Sequence, residues 1–332
     1  MIEDYLEALE KEIHHFYKGE LLDTLYLGGG TPSLLIAKQI KKILSQFKFN
    51  ENTEVTMELN PEHLSEEYLS EIKQAGINRL SIGCQSFDDE ILKIIGRKHS
   101  SKDVENAVCY AKNTGFKNIN LDFIYGLPKQ TLKSFTDDLI HAKNLSVSHI
   151  SLYGLKIEEG CYFYKNPPTE IADDELQSEM YLAAIETLKD FEHYEISNFA
   201  KSGYFSRHNL NYWNNENYYG FGVAAHGYEE NTRYSNQENL KNYIINPLKK
   251  NKTHTLSKQE QLEEEIFLGF RRKSGINFEE INRKFGINFE EKYSKILSKY
   301  FKSSHLEKIP CGCKLTVEGV LVSNYILSDF LE

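Results

Sequence analysis

A run of three glycines, Gly28 to Gly30, separates a short apolar segment from Thr31-Pro32 near the amino end of the chain. Successive glycines allow a backbone to lie flat against a ligand, because no Cβ covers its N–H and C=O groups. Such donors and acceptors suit a small zwitterion that carries an amine and a carboxylate. The run lacks the Lys-Ser/Thr ending of a P-loop, which argues against a cradle for a nucleoside triphosphate.

Polar side chains also follow the next strand-like segments of the sequence. They are Glu58 and Asn60, Gln85 and Ser86, and Asp122. In parallel α/β folds the carboxyl ends of the strands meet at one edge, where ligands bind. We therefore expect these side chains to line one site together with the glycine run. Ordinary capping and turn residues of βα loops remain the alternative explanation for any one of them.

The elements that would position these residues alternate regularly along the chain. An amphipathic helix opens the chain, and the β-rich runs that follow are DTLYL, EVTMEL, RLSIGC, NINLDFIYG, HISLYGL and finally HYEIS. Helical patterns separate them at residues 36–47, 65–74, 88–95 with 102–113, 131–144 and 174–190. Strands that alternate with helices predict an α/β fold with a mostly parallel sheet, either doubly wound or curved into a barrel.

The sequence changes character after residue 197. It is turn-rich and aromatic up to about Tyr243, and the basic run Lys241–Lys252 fits a solvated linker as well as a phosphate contact. From Leu256 onwards, a helix, a Gly turn, another helix and a short LTVEG segment predict a small helical or winged-helix-like C-terminal domain.

Composition narrows the class of protein. The 332-residue chain has a formal net charge of −10, which argues against a general nucleic-acid binder. It contains no run of about 18 apolar residues long enough for a transmembrane helix, and its charged amino end has no signal-peptide pattern. The five cysteines are scattered, and the one close pair, Cys311 and Cys313, supplies too few thiolates for a structural zinc or a cluster. We therefore expect a cytoplasmic protein.

Several blocks of sequence carry a specific family resemblance. In order, they are GGGTPSLL, ELNP, INRLSIGCQSF, IIGRKH, NLDFIYGLPKQT and HNLNYW. Together they resemble the radical S-adenosylmethionine (SAM) proteins around oxygen-independent coproporphyrinogen oxidase. Within that group, HNLNYW and the following GVAAHGY are more similar to the heme chaperone (HemW-type) branch than to the oxidase.

The resemblance implies a fold and a set of cosubstrate residues. It implies a partial (β/α) radical SAM barrel at 1–197, an aromatic connecting region at 198–254 and the C-terminal domain at 255–332. The residues that match SAM-binding positions are Gly29, Gly30, Thr31, Glu58, Gln85, Arg97 and Asp122. For Arg97, a surface ion pair at a helix end is an equally good explanation. Cys84 is expected to pack in the core.

The chain departs from the family at its amino end. The family holds a [4Fe–4S] cluster with three thiolates in a Cys-x3-Cys-x2-Cys loop before the first helix, and this sequence contains no such loop. Either the chain is a shortened version of a complete protein, or it is a natural protein that has lost the cluster. We favour shortening, because the cosubstrate residues remain together and a barrel without its first strand would leave an edge unpaired.

The segment HNLNYW contains the only Trp of the chain and lies among many tyrosines. Imidazole is a usual axial ligand of heme iron, and flat aromatic rings suit the face of a porphyrin. The predicted heme contacts are His208 as the leading iron ligand, His226 as the second candidate, and Asn209, Tyr212 and Trp213. Alternatively, His208 and Asn209 cap a turn while the aromatic rings fill the core.

These observations predict a heme chaperone that binds heme and transfers it to acceptor proteins, with membrane-associated respiratory proteins as candidates. The complete form would need SAM and [4Fe–4S], and we assign no catalytic residue in this chain. The first alternative is an oxygen-independent coproporphyrinogen III oxidase, which decarboxylates its substrate through a radical. The second is a heme-binding module that works without a cluster.

Overall fold

The computed structural model describes residues 1–62 and 64–331, which group into two compact units. The first, here named the sheet unit, comprises Thr24–Lys41 and Glu54–Ser206. The second, the terminal unit, comprises Met1–Asp23, Lys42–Thr53 and the residues from Arg207 onwards. The boundaries predicted at residues 197 and 254 follow the sequence rather than these contacts, and they remain predictions.

Helix α1 (Ile2–Phe16) opens the chain in the terminal unit. The strands of the sheet unit are β1 (Thr24–Leu27), β2 (Glu54–Leu59), β3 (Arg79–Gln85), β4 (Asn118–Tyr125), β5 (His149–Gly154), β6 (Glu192–Glu195) and β7 (Asn198–Ala200). They form one curled sheet in the order β1-β2-β3-β4-β5-β7-β6. Strands β1 to β5 are parallel, whereas β7 is antiparallel to both β5 and β6. This mostly parallel half-barrel confirms the predicted fold class.

Helices follow the parallel strands, as the alternating pattern predicts. They are α2 (Ala37–Leu44), α3 (Glu66–Ala75), α4 (Asp89–Ile94), α5 (Ser101–Asn113), α6 (Leu132–Asn144), α7 (Tyr162–Lys165) and α8 (Asp174–Thr187). Capping boxes at Ser100 and Thr131 fix the starts of α5 and α6, because each side chain accepts a hydrogen bond from the third helical residue. Fully buried residues such as Met57, Ile82 and Leu121 place the core against the sheet.

Regular structure also occurs where the sequence predicted a connecting region. Residues 207–255 form α9 (Arg207–Trp213), β8 (His226–Glu229), β9 (Thr232–Asn236), α10 (Leu240–Ile245) and β10 (Lys250–Thr255). The three strands pair antiparallel in the order β10-β9-β8. The interpretation of Lys241–Lys252 as a solvated linker is therefore wrong. Tyr243 in this run is fully buried, and Lys250 forms an ion pair with the buried Glu12.

The C-terminal residues form a small helical domain with a short sheet, as the winged-helix-like pattern predicts. Its elements are α11 (Lys258–Gly269), β11 (Ile276–Asn277), α12 (Phe278–Phe285), α13 (Phe289–Lys292), α14 (Ser294–Lys302), β12 (Leu306–Ile309), β13 (Gly312–Leu315), α15 (Val317–Leu321) and α16 (Ser323–Ser328). The sheet order is β11-β13-β12, and Phe270, Phe289 and Phe330 lie in one apolar core. Across the described residues, no helix is long and apolar enough to span a bilayer.

Candidate functional site

The three positions of the glycine loop after β1 require glycine for two different reasons. Gly29 and Gly30 adopt φ angles of +77° and +61°, which glycine accepts without strain, and no atom lies within 4 Å of a Cβ built there. Gly28 is restricted by its neighbours instead, since a Cβ would lie 2.5 Å from the ring of Tyr26. The backbone at Gly29 and Gly30 is therefore open on the side where a ligand could approach.

Glu58 on β2 anchors this loop to the sheet. Its Oε2 accepts a hydrogen bond from the backbone N–H of Gly29 at 2.9 Å, and its Oε1 accepts one from the Tyr26 hydroxyl at 2.8 Å. Burial, followed by the nearby carboxylates of Glu58 and Asp122, raises the pKa of Tyr26. Tyr26 therefore remains a neutral donor, and the loop, β1 and β2 meet at one carboxylate.

Asp122 on β4 lies close to the same group of residues. Its two oxygens accept hydrogen bonds of 2.8 Å from the Ser81 hydroxyl and the Asn120 amide. Glu58 is opposite Ser81 in the register of β2 and β3, so Ser81 links the strands that carry the two carboxylates. Desolvation by burial raises the pKa of Asp122 although these hydrogen bonds oppose the shift.

Gln85 ends β3 in a strained conformation. It is 5% exposed, has a φ of +62°, and lies at a register shift between β3 and β4. Its buried Oε1 has no hydrogen-bond partner among the residues that the structure describes. Buried amide oxygens are nearly always paired, and non-glycine residues with positive φ often occur at functional sites. Both features are consistent with a ligand that completes this position.

The remaining predicted SAM residues are not joined to this group. Thr31 is half-buried and comes directly before the short 3-10 turn Pro32–Leu34. Arg97 is half-buried after α4, and its backbone N–H donates to Leu92. Within residues 1–62 and 64–331, no side-chain hydrogen bond or ion pair connects either of them to Glu58 or Asp122. The structure therefore brings together Gly29, Glu58 and Asp122, with Tyr26 and Ser81 as links that the sequence analysis missed.

A larger polar group inside the sheet was also missed. His149 on β5 makes hydrogen-bond contacts of 2.6 Å with Asn120 and 2.7 Å with the Tyr194 hydroxyl, and burial keeps its pKa well below the usual value. Arg79, at the start of β3, is only 2% exposed. The signal that could have revealed this group is the period-two spacing of polar residues in RLS and NINLD, because alternate residues of a strand share one face.

The HNLNYW segment forms α9, and its His208 is already engaged. His208 Nε2 is 2.9 Å from the Tyr212 hydroxyl, and the two rings meet edge to face with centroids 4.9 Å apart. The spacing of four residues places both side chains on one face of the helix. Tyr212 in turn packs edge-on against Tyr218 at 4.6 Å. The structure therefore joins the predicted ligand to a predicted aromatic neighbour.

The other predicted heme contacts are distributed around α9. Trp213 is half-buried beneath the Arg271 guanidinium at 5.3 Å, and its indole Nε1 has no hydrogen-bond partner among the described residues. Asn209 is half-buried on α9 itself. His226 starts β8 with an exposed side chain.

The described residues do not supply a donor set for an iron–sulfur cluster. Among residues 1–62 and 64–331, no group of three or more His, Cys, Asp or Glu side chains could hold a metal ion. Cys84 and Cys313 are buried in apolar cores, as expected for Cys84, while Cys109 and Cys311 are exposed. The open glycines and the unpaired Gln85 oxygen are compatible with SAM, whereas these cysteines are not compatible with [4Fe–4S].

Comparisons with known proteins agree with this fold. The radical SAM superfamily model matches residues 2–140, and the HemN C-terminal domain model matches residues 256–322. The crystal structure of coproporphyrinogen III oxidase (HemN) from Escherichia coli matches with a TM-score of 0.87 and 22% identity, covering 99% of this chain and 82% of that chain. At this identity, the match shows a shared fold.

Two sequence relatives are more informative about the branch. The heme chaperone HemW of Bacillus subtilis (strain 168) is 37% identical over 347 aligned positions, which cover 99% of this chain and 92% of that protein. The heme chaperone HemW of Lactococcus lactis subsp. lactis (strain IL1403) is 35% identical, covering 99% and 90%. With this identity over nearly the full length of both relatives, the chain belongs to the HemW family of the radical SAM superfamily.

Proposed function

We propose that this chain is a heme chaperone, which binds heme at α9 and passes it to acceptor proteins. The observation that carries the proposal is the pairing of His208 with Tyr212 on one face of a short aromatic helix. Its full-length relatives in the family are named heme chaperones. The similarity to the oxidase extends to the fold alone and adds no argument for decarboxylation.

The residues of α9 have separate roles in this proposal. His208 provides the imidazole that ligates the iron, and Asn209, Tyr212 and Trp213 contact the porphyrin. In the free chain, His208 Nε2 and the Tyr212 hydroxyl form a hydrogen bond of 2.9 Å. This hydrogen bond must break before His208 Nε2 can ligate the iron. His226 is the second candidate ligand.

The sheet unit would hold SAM in the same proposal. Gly29, Gly30 and Thr31 would contact the methionine part, mostly through their backbone, and Glu58 would hold its amine or its ribose hydroxyls. Gln85, Arg97 and Asp122 would supply further contacts to the cosubstrate. With a reduced [4Fe–4S] cluster, SAM supplies radical chemistry. Because the described residues lack a donor set for that cluster, we assign them binding roles only.

Heme titration of the purified chain tests the α9 site. We expect hemin to give a Soret shift with the wild type. The affinity for hemin should fall by about tenfold or more in His208→Ala, because one iron ligand is lost. Tyr212→Phe should bind hemin more tightly than the wild type, because it removes the hydroxyl that occupies His208. His254→Ala is the matched control, since His254 is an exposed histidine on β10.

The two α9 variants make the test specific. If both bind hemin as the wild type does, α9 is not the heme site. Transfer is tested by mixing the heme-loaded chain with apomyoglobin as an acceptor and following the Soret band. A chaperone should release its heme to the acceptor, and retention of the heme would contradict the proposed transfer.

A further inference from the structure

The backbone turns sharply at Gln85, at the carboxyl end of β3. The backbone N–H of Ser86 donates a hydrogen bond of 2.9 Å to the carbonyl of Cys84, two residues earlier, and Gln85 between them has a φ of +62°. A hydrogen bond from residue i+2 to residue i around a positive φ defines the rare and strained form of the γ-turn. Such a turn persists only where surrounding contacts hold it. We name residues 84–86 the Gln85 turn.

The turn places the side-chain amide of Gln85 over Gly83. A Cβ built on Gly83 would lie 2.7 Å from Gln85 Nε2, so a side chain at residue 83 would displace the amide. Gly83 is opposite Asp122 in the register of β3 and β4. Ser81, two residues earlier on the same face of β3, donates a hydrogen bond to Asp122. The amide of Gln85 therefore lies on the face of the sheet that carries the Asp122 carboxylate.

His99, which follows α4, holds the start of the turn. Its ring is 5% exposed, and its Nε2 is 3.2 Å from the carbonyl oxygen of Cys84. Burial lowers the pKa of His99, so the imidazole is neutral at pH 7. A carbonyl oxygen can only accept a hydrogen bond, so Nε2 carries the proton and donates it. The Cys84 carbonyl thus has two donors, the ring of His99 and the backbone of Ser86, which fix its orientation.

Asp138 of α6 holds the other end of the turn. Its oxygens accept hydrogen bonds from the Ser86 hydroxyl at 2.7 Å and from the Phe87 N–H at 2.9 Å. Asp138 is also 5% exposed, and moving Ser86 would leave a buried carboxylate without one of its donors. His99 and Asp138 therefore fix the residues on both sides of Gln85.

The amide of Gln85 is less complete than the backbone that carries it. Its buried Oε1 has no hydrogen-bond partner among residues 1–62 and 64–331. A strained backbone that is held from both sides, with a buried acceptor left unpaired between them, is suited to a ligand-binding residue that is oriented before its ligand arrives. SAM carries hydrogen-bond donors for such an acceptor in its ammonium group and its ribose hydroxyls.

We propose that His99 and Asp138 are positioning residues for the cosubstrate. They hold the Gln85 turn so that the amide oxygen of Gln85 accepts a hydrogen bond from the amine or a ribose hydroxyl of SAM, on the face of the sheet that carries Asp122. Both residues act through the backbone of the turn rather than by contact with SAM. This inference rests on the proposed function, because SAM is assigned to the sheet unit there.

Equilibrium dialysis with SAM tests the role of His99. We expect His99→Leu to weaken SAM binding by about tenfold, because affinity falls with the fraction of chains in which the turn is formed. His99→Gln should keep most of the affinity, since its amide N–H can replace the ring Nε2–H. His141→Leu is the matched control, because the ring of His141 stacks on Phe87 beside the turn, with centroids 4.1 Å apart. This control should bind SAM as the wild type does.

A double-mutant cycle distinguishes positioning from a general effect on the fold. Gln85→Ala removes the amide, so the addition of His99→Leu should lower the affinity for SAM no further. A histidine that only stabilises the fold would weaken binding equally with and without the amide. Asp138→Leu should couple to Gln85→Ala in the same way. Urea denaturation identifies the variants that fold, and His99→Asn, whose shorter amide does not reach Cys84, replaces His99→Leu if the latter does not.

The outcomes separate this inference from the proposed function. If Gln85→Ala weakens SAM binding while His99→Leu and Asp138→Leu bind SAM as the wild type does, the inference fails and the SAM site stands. The inference also fails if Gln85→Ala has no effect, or if His99→Leu weakens binding equally in both backgrounds. If the wild type does not bind SAM, the assignment of SAM to the sheet unit fails as well, whereas hemin titration still decides the α9 site.

Discussion

Glu12 in the terminal unit and Asp122 in the sheet unit are both hydrogen-bonded carboxylates, and the protein stabilises them in different ways. Glu12, in the terminal unit, is 0% exposed and lies 3.0 Å from the ammonium group of Lys250. It also accepts hydrogen bonds from the Tyr243 hydroxyl, the Asn236 amide and the Gly222 backbone, at 2.7 to 2.8 Å. Every partner of this carboxylate is therefore a group of the protein itself rather than a ligand.

Asp122, in the sheet unit, has weaker support. Its hydrogen-bond donors Ser81, Asn120 and Ser151 are neutral, and the opposing charge of Arg79 is the smallest of the effects on it. Burial therefore raises the pKa of Asp122. A carboxylate with a cation and several donors is a structural element, whereas one with only neutral donors can still gain from a ligand's amine or hydroxyl groups. This difference supports the assignment of the sheet unit as the cosubstrate site.

The largest effect is expected at Glu12. Glu12→Leu leaves the Lys250 ammonium without its partner, and breaking a buried pair in this way should lower the free energy of unfolding by about 3–5 kcal/mol. Urea denaturation measures the change. Glu10→Leu is the control, because its pair with Lys42 is at the surface and should contribute about 1 kcal/mol or less. Equal midpoints for the two variants would show that Glu12 is not the structural carboxylate described here.

Asp138 on α6 tests how neutral donors support a buried carboxylate. It accepts hydrogen bonds from the Ser86 hydroxyl at 2.7 Å and the Phe87 N–H at 2.9 Å, directly after Gln85, and burial raises its pKa to about 6. The folded state then keeps this proton at a higher pH than the unfolded state, whose pKa is near 3.8. Stability should therefore fall as the pH rises from about 4 to about 6, by up to about 3 kcal/mol.

The Asp138 prediction is measured as the urea midpoint at several pH values. Asp138→Asn should remove this part of the pH dependence, because the amide does not titrate. Asp137→Asn changes the exposed neighbour, which pairs with Lys133, and serves as the control. A wild-type slope that persists in Asp138→Asn would assign the pH dependence to another group.

Gly29→Val, compared with a matched variant elsewhere, distinguishes the cost of backbone strain from the loss of ligand binding. A β-branched residue at a φ of +77° should cost about 1–3 kcal/mol and displace the N–H that bonds Glu58. We expect SAM binding, measured by equilibrium dialysis, to be lost. Gly286→Val is matched in conformation, with a φ of +68° and open space around it, but lies at the end of α12. Equal SAM affinity in both variants would remove the glycine loop from the site.

The smallest effect on stability is expected at Asp122. Asp122→Asn keeps the shape of the side chain and removes a charge that burial disfavours, so the free energy of unfolding should change by about 1 kcal/mol or less. SAM affinity should nevertheless fall, because the charge that attracts a ligand's amine is gone. A loss of stability as large as that of Glu12→Leu, with unchanged SAM affinity, would reverse the comparison between the two carboxylates.

The parts of the fold that sequence predicts are those with strong local patterns. Strands β1 to β5 are apolar runs bounded by turns, and the helices between them have periodic apolar faces and clear caps. The short β7, Asn198–Ala200, has only three residues, too few for a pattern. Strand β10 reads KNKTHT and is almost wholly exposed, so its sequence has no apolar alternation. Pairing with β9 determines its structure, and the sequence does not show that pairing.

In the candidate site, sequence indicates the residues at the strand ends but not the residues that support them. Glycine, carboxylate and amide residues at strand ends indicate Gly29, Glu58 and Asp122 without knowledge of the register. Tyr26 and Ser81 are different, because their roles depend on which residue of the neighbouring strand lies opposite. In the same way, the pattern predicts His208, but it does not show that the Tyr212 hydroxyl already occupies the imidazole.

The position of Glu12 in the chain has a consequence for biosynthesis. Its partners Asn236, Tyr243 and Lys250 lie 224 to 238 residues further along the chain. At ordinary rates of translation, roughly 10–50 s pass between the synthesis of Glu12 and the synthesis of these partners. During that interval the sheet unit is completed, while the apolar face of α1 has no Tyr243 to pack beside it. The buried carboxylate of Glu12 can therefore gain its partners only late in synthesis, after the sheet unit is complete.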